Sequence, residues 1–291
     1  MIDVQPLANL FGEFIHLLQH HTGQLHVLGK SLPDDVANEV FERSGTIPRG
    51  MAWMGTYAFA FQIFGDFAGY TCIARGIAAL LGFDLSLNFR APYLAASPSE
   101  FWRRWHISLS QWLRDYLYFP LGGGRGGVVK TVRNLFITML LGGLWHGAAW
   151  TFVVWGAYHG LLLGIYRVID RIPFLDRPLR TRVMMRVVFF HLVCLGWIIF
   201  RADSLSQAWS MMVGLFDGPP ADAAWMAQTL FRIGPWVAAV VVIQALQYRS
   251  DDSLVMMRWP LAVRVLAYLF LFYSIVIFGV NHAHSFIYFQ F

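Results

Sequence analysis

Hydrophobic and polar positions alternate on two scales along this chain. On the larger scale, apolar runs are separated by more polar or basic stretches, and the runs cover residues 51–83, 134–166, 187–200, 229–247 and 262–280. A helix needs about 20 apolar residues to cross a bilayer, and lipid tolerates only backbone whose polar groups are satisfied internally. The pattern predicts an all-α, polytopic membrane protein.

On the finer scale, the stretch 97–124 mixes apolar and charged positions at helical spacing. Ser97, Pro98 and Glu100 provide the cap, first-turn proline and third-residue acid of a helix start. One face is apolar and contains Phe101, Trp105, Leu109, Trp112, Leu113 and Tyr116. The flanking polar stripes contain Arg104, Ser108, Gln111 and Asp115 on one side and Arg103, His106, Ser110 and Arg114 on the other. This mixture predicts one continuous, half-buried or re-entrant amphipathic helix.

The run 134–166 is longer than a single span requires. It is either one tilted helix or two pieces broken at Gly142, Gly143 and Gly147. Arginine-rich loops on both sides favour the broken, returning form, because the positive-inside rule then places both loops in the cytoplasm.

The N-terminal region differs from the remainder. Residues 5–28 have an apolar side with histidines around it and predict an interfacial helix, and residues 30–50 form a polar connection. The predicted division is therefore a segment 1–50 and a transmembrane domain 51–291.

Composition supports this class and excludes others. Hydrophobic residues make up 57% and charged residues 13% of the chain, and the mean hydropathy is +0.51. The net charge is +5, and the arginines that contribute to it lie in loops between apolar runs. This distribution argues against nucleic-acid binding. Cys72 and Cys194 lie in apolar segments and predict buried thiols, and no metal site is expected.

Three polar residues within apolar surroundings are candidates for function. His146 lies in the sequence G-G-L-W-H-G-A-A-W beside Trp145, and His106 lies between two arginines on its stripe. An isolated histidine on an apolar surface is most often a packed residue bonded to a backbone carbonyl, and that reading stays open for each. Asp66, in the run 51–83, is either a paired structural charge or part of a cavity wall.

The stretches F-W-R-R-W-H-I-S-L-S-Q-W-L-R-D-Y-L-Y and G-G-L-W-H-G-A-A-W resemble the membrane-bound O-acyltransferase family, especially its alginate O-acetyltransferase branch. The upstream F-Q-I-F-G-D-F-A-G-Y and N-F-R-A-P-Y stretches fit the same branch, so the resemblance extends from about Gly29 onward. It implies a catalytic role for His146 and identifies His106 as the second characteristic histidine. By the same comparison, the first transmembrane segments of full-length members are absent here.

Acyl transfer to a hydroxyl needs a base, oxyanion stabilisation and exclusion of water. A neutral histidine in a membrane-embedded pocket supplies the first and third. Arg103, Arg104 and Arg114 are expected to attract the phosphates of acetyl-CoA or a similar thioester donor, with no bound cofactor. The other predicted substrate-binding residues are Trp102, Trp105, Asp115, Tyr116, Trp145 and Asp66. Core packing and ion pairing remain the alternatives for all of them.

The function expected from the resemblance is acyl transfer, with acetyl as the acyl group, across the cell inner membrane towards an exported polysaccharide. The resemblance also implies a periplasmic partner acyltransferase. The alternatives are a non-catalytic or degenerate membrane assembly subunit and a transporter, although a transporter lacks support because the chain shows neither repeated broken helices nor paired halves.

Overall fold

The computed structural model describes residues 26–27, 30–43, 45–169, 178–252 and 255–278. Most of the predicted interfacial helix 5–28 and the end of the last predicted span lie outside these residues. His26 and Val27, which belong to the former, form a strand rather than a helix. The described chain is otherwise largely helical, and this confirms the all-α class. The predicted division at residue 50 stays a prediction.

The elements follow in chain order. They are β1 (His26–Val27), β2 (Lys30–Ser31), α1 (Leu32–Phe41), α2 (Arg49–Leu80), a 3₁₀ turn (Pro92–Leu94), α3 (Pro98–Trp102), α4 (Ile107–Leu113), a π-helical turn (Arg114–Tyr118), α5 (Val128–His146), α6 (Trp150–Ile169), α7 (Leu179–Arg201), α8 (Leu205–Asp217), α9 (Ala223–Ser250), a second 3₁₀ turn (Val255–Arg258) and α10 (Leu261–Phe278). The two strands pair antiparallel. Two compact units result, one from residues up to Arg90 and from Asp217 onward, the other from Ala91–Phe216.

Four of the described helices, α5, α6, α7 and α9, are long and apolar enough to cross a membrane. They correspond to the predicted runs 134–166, 187–200 and 229–247, and the chain is therefore a multi-pass membrane protein. The predicted span 51–83 is a single helix, α2, but it is not among the four. Asp66 is buried in it with 8% of its surface exposed.

In the first unit, α1 packs closely on α2 because Gly55 lacks a side chain. A Cβ atom at Gly55 would lie 2.6 Å from the Cβ atom of Val40. The rings of Phe41 and Phe59 meet on the same interface, with centroids 5.9 Å apart. The stretches around His106 and His146 lie in the second unit.

In the second unit, α5 and α6 form the broken, returning pair that the arginine-rich loops favour. The chain leaves α5 after His146 and re-enters a helix at Trp150. Gly142 and Gly143 do not break the helix but are buried within α5. A Cβ atom at Gly143 would collide with the carbonyl oxygen of Phe152, and one at Gly156 would collide with that of Met139. The two backbones therefore touch.

We expect Gly156→Ala to lower the free energy of unfolding by about 1–3 kcal/mol, because the new methyl group has to push the α5 backbone away. Gly234→Ala is the control, since its methyl group would make only an ordinary contact with Leu230, at 3.5 Å. Thermal melting of the detergent-solubilised variants measures both. Equal melting temperatures for the two variants would contradict the backbone contact.

Candidate functional site

The helix predicted over 97–118 begins as the sequence indicates. The backbone N–H of Glu100 donates to Ser97 Oγ at 3.1 Å, which is the predicted cap. The carboxylate of Glu100 accepts from the backbone N–H of Ala96 at 2.9 Å and from Arg104 Nε at 3.0 Å. Arg104 is therefore held by an acid on its own stripe.

The helix is not continuous, and this corrects the prediction. α3 ends at Trp102, and α4 begins only after His106, whose backbone is left-handed with φ 42° and ψ 57°. This conformation costs a non-glycine residue of order 1–3 kcal/mol and is concentrated at functional sites. His106 still starts α4, because its carbonyl oxygen accepts from the backbone N–H of Ser110 at 2.9 Å.

After the break, Trp112 and Tyr116 of the predicted apolar face lie away from the core. Phe101 and Trp105 are buried and stacked, with ring centroids 5.6 Å apart, and Leu113 is also buried. Trp112 and Tyr116 are instead 48% and 66% exposed. The predicted substrate-binding role of Tyr116 stays a prediction.

His146 is the last residue of α5 and is surrounded by aromatic rings. Ring centroids lie at 5.0 Å for Trp145, 5.2 Å for Trp155 and 5.2 Å for Phe200, and all three rings meet it edge to face. Phe200 comes from α7 and Trp155 from α6, so three helices fix the position of this imidazole. The ring is only half-buried. We call His146 with these three neighbours the aromatic collar.

The structure brings the two predicted histidines together. The ring of Trp145 meets both of them, with its centroid 6.4 Å from that of His106 and 5.0 Å from that of His146. Burial, followed by the positive charge of His146 when it is protonated, lowers the pKa of the His106 imidazole from 6.5 to about 4. His106 is therefore neutral at physiological pH. On α4, Ser108 Oγ lies 3.5 Å from His106 Nδ1.

A cavity of about 650 Å³ opens beside α3, α4 and the α5–α6 pair. Three of the predicted substrate-binding residues line it, namely Trp102, Arg103 and Arg114. Arg167, at the end of α6, and Tyr118 also line it, and neither was singled out from the sequence. A count of arginines in adjacent loops would not have found Arg167, because only the return of α6 along α5 brings it to the cavity.

The π-helical turn shapes one wall of this cavity. Its signature is the bond from the backbone N–H of Phe119 to the carbonyl oxygen of Arg114, at 2.9 Å across five residues. Such turns are rare and often occur at functional sites. Both the first and the last residue of the turn, Arg114 and Tyr118, line the cavity.

The remaining predicted residues are placed elsewhere. Trp105 packs on Trp197, with centroids 4.8 Å apart, as a core residue. Asp115 is exposed and pairs with Arg114 at 2.7 Å, and that hydrogen bond lowers the pKa of its carboxyl group. Trp145 belongs to the aromatic collar, and Asp66 belongs to the first unit and does not line the cavity. Within the described residues, no three His, Cys, Asp or Glu side chains are grouped as metal ligands.

Comparison with known proteins agrees with this arrangement of motifs. The sequence model of MBOAT, the membrane-bound O-acyltransferase family, matches residues 43–206, which include both histidines and the whole cavity lining. The match covers more than half of the chain.

Three relatives illustrate the range of similarity. The probable alginate O-acetylase AlgI of Azotobacter vinelandii is 49% identical over 199 residues, which are 67% of this chain and 39% of that protein. The peptidoglycan O-acetyltransferase of Helicobacter pylori is 37% identical over 175 residues, 60% of this chain and 33% of that protein. The teichoic acid D-alanyltransferase of Bacillus subtilis is 34% identical over 155 residues, 50% of this chain and 39% of that protein. The chain thus spans less than half the length of each.

The pKa of His106 predicts a pH dependence of stability. Between pH 6.5 and about 4 the unfolded chain binds a proton at His106 that the folded chain does not bind, so the free energy of unfolding falls as the pH falls. At pH 5 this loss amounts to about 2 kcal/mol. Melting temperatures at pH 7.5 and pH 5.0 measure it.

His106→Asn is the matched variant, because asparagine tolerates the left-handed backbone but does not titrate. We expect its melting temperature to fall less than that of the wild type between these two pH values. An equal fall in both proteins would show that His106 does not contribute.

Proposed function

Because the chain belongs to the membrane-bound O-acyltransferase family, we propose that it transfers an acyl group, with His146 as the general base. The observation that carries this proposal is the aromatic collar. It holds one imidazole at a helix end, surrounds it with apolar rings, and places it within electrostatic reach of the neutral His106.

The proposed step moves one proton and exchanges one bond. The acceptor hydroxyl loses its proton to His146 as its oxygen attacks the carbonyl carbon of the thioester, and the C–S bond then breaks to release a thiolate, which takes up a proton. The aromatic collar limits the access of water, which would otherwise hydrolyse the thioester. We assign the second, positioning role to His106.

The cavity is suited to the anionic part of the donor. Arg103, Arg114 and Arg167 line it, and guanidinium groups bind phosphate through paired hydrogen bonds. Asp115 offsets part of the charge of Arg114, which leaves Arg103 and Arg167 as the stronger contributors. These arginines support acetyl-CoA or a similar acyl thioester as the donor, reached from the cytoplasmic side.

The acceptor of the acyl group is inferred from the polymers named for the relatives. Their names specify alginate, peptidoglycan and teichoic acid, which are all polymers of the cell envelope. The more similar relatives are O-acetylases, so we propose acetyl as the acyl group and an exported polysaccharide such as alginate as the acceptor. The proposal includes a place in the cell inner membrane and a periplasmic partner acyltransferase that completes delivery.

The first test concerns His146. We expect His146→Ala to lower the O-acetyl content of exported polysaccharide at least 100-fold at matched membrane levels, because a general base contributes about 10²–10⁴-fold. His191→Ala is the control, since His191 lies on α7, nine residues before Phe200, with its Nδ1 atom 2.7 Å from the backbone oxygen of Val187. Unchanged acetylation in His146→Ala would exclude the catalytic role and leave a non-catalytic membrane subunit.

The second test concerns the cavity. We expect Arg103→Gln to raise the KM for the thioester donor about tenfold with little change in kcat, because the lost contact is made to a part of the donor that does not react. Arg125→Gln makes the same change of charge on an exposed loop residue that does not line the cavity. A KM that is equally affected in both variants would indicate a general effect of charge rather than a binding contact.

A further inference from the structure

His159 is a second buried imidazole that the proposed reaction does not use. It lies on α6, four residues after Trp155, and only 1% of its surface is exposed. Its ring centroid is 4.9 Å from that of Trp155 and 5.2 Å from that of Trp102. Trp102 and Trp155 also meet each other, at 5.8 Å. We call these three residues the buried nitrogen cluster.

The cluster contains four buried nitrogen atoms without a hydrogen-bond partner in the protein. They are Nδ1 and Nε2 of His159 and Nε1 of Trp102 and of Trp155. A neutral imidazole has one donor and one acceptor, and an indole is only a donor, so the cluster offers three N–H groups and one lone pair. Each such atom left unsatisfied costs about 1–3 kcal/mol, and natively folded proteins rarely leave several in one place.

The cluster adjoins both parts of the proposed site. Trp102 is also part of the cavity lining, and Trp155 is part of the aromatic collar around His146. A polar group that enters from the cavity therefore meets Trp102 first. On the other side, Gly196 of α7 faces Nε2 of His159, and a Cβ atom there would lie 2.9 Å from this nitrogen.

We propose that the buried nitrogen cluster is a binding site for one neutral oxygen atom that accepts hydrogen bonds from these N–H groups. An anion is excluded, because no cationic side chain belongs to the cluster to offset its charge. The oxygen has two chemical sources, a water molecule held permanently or the carbonyl oxygen of an acyl group arriving from the cavity. The second source rests on the proposed function, and the first does not.

The test uses detergent-solubilised protein whose tryptophans carry ¹⁵N in the indole ring. The N–H signals of Trp102 and Trp155 are assigned with the Trp→Phe variants, and the 69% exposed Trp209 serves as the reference. If the site is occupied, at least one indole N–H signal of the cluster has the chemical shift of a hydrogen-bonded N–H group. If the N–H signals exchange with water in protein without an acyl donor, the oxygen belongs to a water molecule. If their chemical shifts change on adding acetyl-CoA but not CoA, the oxygen is the acyl carbonyl.

Two variants of His159 separate binding from packing. His159→Phe keeps an aromatic ring but removes both nitrogens, whereas His159→Gln keeps a donor and an acceptor. If the site holds the acyl carbonyl, we expect kcat to fall about tenfold in His159→Phe and to recover in His159→Gln, at equal melting temperatures. If the site holds water, we expect His159→Phe to have a lower melting temperature than the wild type in the absence of the acyl donor. The melting temperature should recover in His159→Gln.

One pattern would overturn the proposal. The indole N–H signals of the cluster would have the chemical shifts of N–H groups that point at aromatic rings, and neither acetyl-CoA nor CoA would change them. In addition, the His159→Phe variant would have a higher melting temperature than the wild type and the same activity. The nitrogens would then be satisfied by ring faces alone. The spectra report on the site even if no variant transfers an acyl group, so failure of the proposed function remains distinguishable.

Discussion

The contact between the backbones of α5 and α6 is the constraint on which the second unit depends. Gly143 and Gly156 permit it, because neither helix has a side chain where the other approaches. The contact fixes the position of the end of α5 relative to the end of α6. It sets the aromatic collar at the end of α5 and brings the end of α6, with Arg167, back to the cavity. The charged and the apolar parts of the site are thus positioned by the same pair of glycines.

The sequence was most informative where a local physical rule acts alone. The cap of Ser97 on Glu100 depends on residues three apart, and the structure shows it as predicted. The return of the chain near Gly147 follows from the length of the apolar run together with the basic loops around it. The proximity of His106 to His146 was not predicted, because the 39 intervening residues carry no local signal of it; the resemblance to a family only marked both histidines as characteristic.

The sequence was least informative where tertiary packing overrides helical periodicity. The residues from Phe101 to Tyr116 have an uninterrupted helical period, yet the chain adopts a left-handed conformation at His106 and leaves Trp112 exposed. A continuous helix would satisfy more backbone hydrogen bonds locally. The break becomes favourable only when the rings of Phe101 and Trp105 are buried against α6 and α7, and neither partner is visible from within the stretch. The cavity position of Arg167 was missed for the same reason.

The π-helical turn at Arg114–Tyr118 holds one more residue than an α-helical path between the same two points would need. The segment therefore contains a spare residue. Its removal would let the turn relax into an ordinary α-helix, at little cost in backbone hydrogen bonds. The turn would become tighter, and Arg114 and Tyr118 would lie three residues apart instead of four, still on one face of the helix. A deletion of one residue here would thus leave the helical path intact and change only the shape of the cavity wall between these two side chains.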